Sequence, residues 1–221
     1  MSADVRSDLR AAFPGVLVTG GVGASEIGTA AFEVGHEETD GPRFKLAHDT
    51  AVLDEDLEPL GPGGVGRVAR RGAIPLRYHG DPSGTGERFP VDRHGTRWVV
   101  PGDWARVEDD GTFVLLGRGS QCVNTGGEKV FPDEVENVLA GHPDVEDVIV
   151  VGAPDPTWQE RVVALVAPRA GTAPSLDELQ AHCRAHLAGY KVPRALVLGP
   201  LRRTEVGKPD YRWATQRARE L

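Results

Sequence analysis

The sequence predicts an α+β chain in two parts, a mainly β first part followed by a smaller, compact α+β part. Three observations carry this. Between residues 32 and 102 short β-prone runs alternate with Gly- and Pro-rich breaks, the pattern of an irregular barrel or sheet layer without βαβ crossovers. Asp109-Asp110-Gly111 lies between the runs 105–108 and 112–116, and Asp-Gly in that setting is a strong hairpin signal. After Arg118, helical and strand patterns alternate over about 100 residues, a normal domain size.

Taken in order, residues 3–12 place Val5, Leu9 and Ala12 on one helical face, and Pro14-Gly15 stop that helix. Residues 16–18 read as a short buried strand. It ends in Gly20, Gly21 and Gly23, where the backbone can turn sharply and approach a ligand. Further strands are expected at 44–46, 50–53, 66–70 and 98–100, with LGPGGVG and HGDPSGTGERFP as turns and exposed loops. Beyond Arg118 comes an extended piece, then a tight Gly126-Gly127 turn. Pro132 opens a helix over 132–140, with Asp133 and Glu134 at its positive end and Val135, Val138 and Leu139 as its apolar stripe. Strands follow at 145–152 and 162–167. Ser175 with Glu178 forms a capping box for a helix to about residue 187. A strand at 195–198 and a final helix opened by Pro209 complete the chain.

Composition bounds the chemistry. The 221 residues carry a formal net charge of -8 and no long Lys or Arg run, which argues against a nucleic-acid or anionic-membrane surface. The first fifteen residues carry charges throughout and no window reaches the length of a membrane span, so a cytoplasmic protein is expected. Cys122 and Cys183 lie far apart without metal-ligand spacing and read as reduced thiols. The seven histidines show no zinc spacing, and no Ser-His-Asp hydrolase context is present. Trp158 and Trp213 read as core or docking residues.

Three ordered motifs stand out. The first runs from Gly102-Asp103 through Asp110-Gly111 and Gly117-Arg118 to GGEKV at 126–130 and the acidic helix start. The second is VGASEIG at 22–28, and the third RRTEVGKPDYRW at 202–213. Together they resemble the adenylate-forming superfamily of acyl-CoA synthetases, luciferases and peptide-synthetase adenylation domains. The resemblance implies that residues 1–117 are a C-terminal segment of the family's AMP-binding large domain, 118–123 a hinge, and 124–221 the small C-terminal domain. It also implies that the family's Ser/Thr/Gly-rich phosphate loop is absent from this chain, which is then a C-terminal portion expected to be inactive alone.

The implied reaction joins a carboxylate to the α-phosphate of ATP, releasing pyrophosphate, and a thiol then displaces AMP. ATP, Mg²⁺ and CoA are the expected cofactors, and a small carboxylic acid the substrate. By the resemblance, Lys208 reaches the α-phosphate and carboxylate, a mobile cation where negative charge develops. Asp103 accepts the ribose hydroxyls, as an ionised carboxylate can, and Arg118 contacts the ribose. Ser25 touches the α-phosphate and Glu26 holds the metal, carboxylate oxygen being the right hard ligand for Mg²⁺. Gly126, Gly127, Glu128 and Lys129 line the path of the CoA pantetheine, and Gln121 sits at the hinge. Each has a plainer reading: Asp103 capping a turn, Arg118 in a surface ion pair, Ser25-Glu26 capping a helix, Lys208 solvated.

Two departures from the family pattern are visible. Val22 stands where an aromatic residue usually stacks on adenine, and Gln121 where many relatives have Asp. The style of GRGSQCVNTGGEKVFPDEVE and HLAGYKVPR resembles fatty-acyl and sterol-side-chain synthetases, implying an apolar acid. A complementing N-terminal half or a homo-oligomer is a possible partner. A non-catalytic module that binds CoA or a partner synthetase through residues 119–221 is the alternative.

Overall fold

The computed structural model describes residues 9–33 and 43–221. The helix expected over 3–12 lies outside the described residues except for 9–12, which are helical. The chain divides into two compact units between Gly119 and Ser120.

The first unit holds, among the described residues, an antiparallel sheet in the order β1-β2-β3-β8-β7-β5-β4, with β6 paired to β5. The strands are β1 (Gly21–Ala24), β2 (Gly28–Glu33), β3 (Arg43–Leu46), β4 (Thr50–Leu53), β5 (Val65–Arg71), β6 (Trp98–Val99), β7 (Asp103–Val107) and β8 (Thr112–Arg118). Its core gathers Val22, Ala31, Phe44, Val68, Ala105 and Phe113, all nearly solvent-free, with the Phe44 and Phe113 rings 5.5 Å apart across the β3/β8 pair. The Asp-Gly hairpin forms as expected. Asp110 Oδ1 accepts the Thr112 amide at 2.9 Å, and Gly111 takes the left-handed conformation the turn needs, φ 77°.

Two expectations fail here. Residues 16–18 are irregular, not a strand, with Leu17 71% exposed. The true strand begins three residues later at Gly21, where the backbone finds β2 as a pairing partner. HGDPSGTGERFP is not all loop either, because helix α1 spans Pro82–Arg88. Two glycines make it a poor helix former, and the cap compensates: Asp81 Oδ1 accepts the Gly84 amide at 2.8 Å and Pro82 presets the first turn.

The second unit is built on one long hairpin. β11 (Val145–Asp155) pairs with β12 (Gln159–Pro168) over nearly its full length. Their apolar runs are continuous rather than alternating, which marks a sheet covered on both faces. Val148, Val150, Val162, Ala164 and Val166 point to one core, shared with α2 (Pro132–Ala140) and α3 (Leu176–Arg184). Ile149, Val151, Val163 and Leu165 point to the other, closed by Ala214 and Ala218 of α4 (Tyr211–Ala218). Each fully buried Val, Ile or Leu among them contributes about 1.5–3 kcal/mol. β9 (Val123–Thr125), β10 (Glu128–Val130) and β13 (Ala195–Leu198) extend the sheet, β13 running parallel to β12. The capping box at Ser175 is present, with Glu178 Oε2 accepting the Ser175 amide at 2.8 Å. The helix it starts ends at Arg184, short of residue 187, and the final helix starts at Tyr211 under an Asp210 cap, not at Pro209.

Candidate functional site

Ser25 and Glu26 sit on the tight turn that joins β1 to β2. The turn closes with the Ile27 amide donating to the Ala24 carbonyl at 3.1 Å, and Gly28 follows at φ 59°. Gly28, the first residue of β2, thus takes the left-handed conformation that glycine adopts without steric cost. Gly23 is required beside it, since a Cβ there would stand 2.5 Å from the Gly28 carbonyl oxygen. Two side chains that sequence reasoning missed fix this turn. Arg70, itself paired with Asp49 at 2.8 Å, donates to the Ile27 carbonyl oxygen. Tyr78 donates its hydroxyl to Glu26 Oε1 at 2.6 Å. That bond holds the Glu26 carboxyl below its usual range; partial burial opposes it, and the Arg118 and Arg88 guanidiniums add to the lowering. Glu26 is therefore an ionised carboxylate at neutral pH, fixed in direction.

Asp103 and Arg118 face one another across the β7/β8 ladder. Asp103 is 7% exposed, and Arg118 Nε donates to its Oδ1 at 3.2 Å while the guanidinium stays largely in solvent. A buried carboxylate with one oxygen engaged keeps acceptor capacity for hydroxyl donors. Arg118 thus bonds Asp103 and adds its charge to the lowering at Glu26, which shares its turn with Ser25.

The remaining candidates belong to the second unit. Gln121 closes a short 3-10 turn, Gly119–Gln121. Gly126 and Gly127 form the two-residue loop between β9 and β10 with φ 59° and 87°, the left-handed pair that such hairpins demand. Gly126 has a second constraint: a Cβ there would come within 2.7 Å of the Trp158 ring, which lies against the loop with Arg194 stacked 4.7 Å over its centroid. Trp158 is 40% exposed, so it is a lining of this loop rather than a core residue. We expect Gly126→Ala to cost roughly 1–2 kcal/mol from backbone strain alone, and more from the ring contact. Urea unfolding followed by tryptophan fluorescence checks this. Glu128 and Lys129 are exposed on β10.

Lys208 projects from a turn tied at both ends. The Thr204 amide donates to the Lys208 carbonyl at 2.8 Å and the Gly207 amide to the Thr204 carbonyl at 2.8 Å, while the Lys208 amide reaches Thr204 Oγ1 at 3.2 Å. The Lys208 ammonium is exposed and makes no ion pair among the described residues. A cation on a stiff base with a free head can meet developing negative charge.

The residues present fit a divalent cation bound together with phosphate. Mg²⁺ is commonly held by one or two carboxylates with phosphate and water completing its shell, and Glu26 supplies one oriented, ionised carboxylate. Among the described residues no three His, Cys, Asp or Glu converge into a metal cage. Both cysteines are free. No helix of the described residues is long and apolar enough to cross a membrane.

Comparison with known proteins bears on the family and the fold. The family model for the AMP-binding enzyme C-terminal domain matches residues 134–208. A medium/long-chain-fatty-acid--CoA/3-oxocholest-4-en-26-oate--CoA ligase of Mycolicibacterium smegmatis is 49% identical over 207 residues, 91% of this chain and 37% of that protein. A 3-oxocholest-4-en-26-oate--CoA ligase of Rhodococcus rhodochrous is 48% identical over 207 residues, with the same coverage of 91% and 37%. The chain thus spans about two fifths of the length of the curated relatives it matches. Among solved structures, the amide bond synthetase McbA from Marinactinospora thermotolerans superposes with a TM-score of 0.77 at 28% identity, over 93% of this chain and 42% of that one. The anthranilate CoA ligase AuaEII, solved with anthranoyl-AMP, shares the fold at a TM-score of 0.83 and 24% identity, over 100% of this chain and 43% of its own. On its ordered motifs, its fold and these relatives, the chain belongs to the adenylate-forming superfamily, and residues 134–208 are its AMP-binding enzyme C-terminal domain.

Proposed function

We propose that this chain supplies the nucleotide-clamping turns and the adenylation lysine of an AMP-forming acyl-CoA synthetase acting on apolar carboxylic acids. The observation that carries the reading is Lys208, a solvent-facing cation on a turn whose backbone is hydrogen-bonded closed. The similarity to ligases of fatty and sterol-side-chain acids supports the substrate class.

In the first half-reaction a carboxylate oxygen attacks the α-phosphorus of ATP and pyrophosphate leaves. Negative charge crowds there, and Lys208 offsets it at the α-phosphate and the attacking carboxylate, a contribution that is larger in the transition state than in the bound substrates. Ser25 offers a hydroxyl to the α-phosphate. Glu26, held by Tyr78, is the residue that would carry Mg²⁺, which supplies charge neutralisation of the phosphates when bound. Asp103 accepts hydrogen bonds from the ribose hydroxyls, and Arg118, bonded to its Oδ1, orients that carboxylate. In the second half-reaction a thiol sulfur attacks the acyl carbonyl carbon and AMP leaves. Gly126 and Gly127 present bare backbone to the thin pantetheine arm of CoA, flanked by Glu128 and Lys129, after a rotation about Gln121. Val22 is buried and offers no ring to adenine, so adenine packing rests on other groups.

The test is a chimera in which this chain replaces the matching portion of the M. smegmatis ligase. With ATP, Mg²⁺, CoA and a panel of acids from short polar to long apolar, we expect AMP and acyl-CoA with the apolar members. ADP as the nucleotide product, or turnover confined to polar acids, would overturn the reading.

A further inference from the structure

The base of the Lys208 turn is tied to the rest of the second unit through two side chains. On its N-terminal flank, Arg203 pairs bidentately with Asp147 of β11, at 2.6 and 2.8 Å from Nη2, and donates from Nη1 to the Gly207 carbonyl at 3.0 Å. On its C-terminal flank, Tyr211, the first residue of α4, donates its hydroxyl to both oxygens of Glu136 at 3.3 Å. Glu136 projects from α2, and its Oε1 also accepts the Val150 amide of β11 at 2.7 Å. One carboxyl therefore joins α2, β11 and α4 beside the turn. Core packing does not explain it, because burying a carboxyl in a largely apolar unit costs free energy that a hydrocarbon side chain would not.

We propose that Glu136 is a positioning residue: through Tyr211 it fixes the C-terminal flank of the Lys208 turn, as Arg203 with Asp147 fixes the other. The inference rests on the reading of Lys208 given above for its purpose, but its geometry stands apart from that reading. The groups facing Glu136 are Asp133 from α2, Asp147 from β11 and Tyr211 from α4, with the Arg203 guanidinium near the Tyr211 ring. Elsewhere α2 carries the Glu134–Lys191 pair and the contact of His182 with the Val138 carbonyl, at 2.6 and 2.9 Å. Burial pushes the Glu136 carboxyl up to about 7, with Asp133 and Asp147 adding to the rise and the Val150 and Tyr211 hydrogen bonds opposing it.

A raised carboxyl pKa means that the closed brace binds a proton that the opened one releases. Closure is therefore strongest below the ordinary 4.5, weakens as pH rises towards 7 and is constant above it. The amides of Thr204, Gly207 and Asp210 are hydrogen-bonded in the closed turn, so their exchange protection reads the brace directly. NMR hydrogen exchange on the full chain between pH 5 and 8 is the experiment. We expect protection of these amides to fall by roughly a hundred-fold across the wild-type range. Glu136→Gln should keep the protection seen near pH 5 and remove the pH dependence, while Tyr211→Phe should lower protection at least ten-fold at every pH. Protection at the turn unchanged in Tyr211→Phe, or a pH dependence that persists in Glu136→Gln, would overturn the proposal. No catalysis enters this readout. A Lys208→Ala chimera that still adenylates would sink the Lys208 reading and leave the brace intact, and the converse result is equally separable.

Discussion

Replacing Lys208 by alanine in the chimera should lower adenylate formation by roughly 10²–10³-fold while leaving thioester formation from supplied acyl-adenylate nearly unchanged. The two half-reactions place charge differently. Attack on the α-phosphorus gathers the charges of a carboxylate and a triphosphate at one point, whereas thiol attack on an acyl-adenylate starts from a neutral carbonyl and a leaving phosphate. A cation aimed at the first has little to gain in the second. The turn itself survives the substitution, because its closing hydrogen bonds run through backbone atoms and Thr204 Oγ1 rather than the lysine head. Quenched-flow measurement of both half-reactions decides it, and equal loss in both would count against the role assigned to Lys208.

The second large effect is at Asp103. Alanine there removes an acceptor of charge-assisted hydrogen bonds, each worth about 1.5–3 kcal/mol, so nucleotide affinity should fall roughly ten- to a hundred-fold. Arg118 loses its partner but is more than half exposed, so water takes over its hydration and the fold suffers little. Titration of an ATP analogue with Asp103→Ala and Arg118→Ala side by side separates the two: the first should weaken binding more than the second. Equal binding to wild type and Asp103→Ala would remove the clamp.

The parts of the fold that could be read in advance were those with local causes. Asp110-Gly111, Gly126-Gly127 and the Ser175/Glu178 box each encode their structure within four residues, and the apolar runs at 145–152 and 162–167 read as strands. What escaped was set by partners distant in sequence. The glycine-rich β1 and β2 have weak strand propensity and exist because β3 pairs with β2 and the Val22 and Ala31 side chains are buried. Leu17 looked like strand core but is 71% exposed. The contact of Tyr78 with Glu26 spans 52 residues, and that of Tyr211 with Glu136 spans 75; no spacing rule reaches that far. The acidic start of α2 read as helix-end chemistry, and nothing local distinguishes Glu136, which reaches β11 and α4, from the half-buried Asp133 and Glu134 beside it.

The most direct test of the account is hydroxamate trapping of the acyl-adenylate in the absence of CoA, on the chimera that carries this chain. The account predicts hydroxamate from apolar acids, dependent on ATP and Mg²⁺, and its loss in Lys208→Ala. A chimera that binds ATP with wild-type affinity yet traps no hydroxamate from any acid would contradict it.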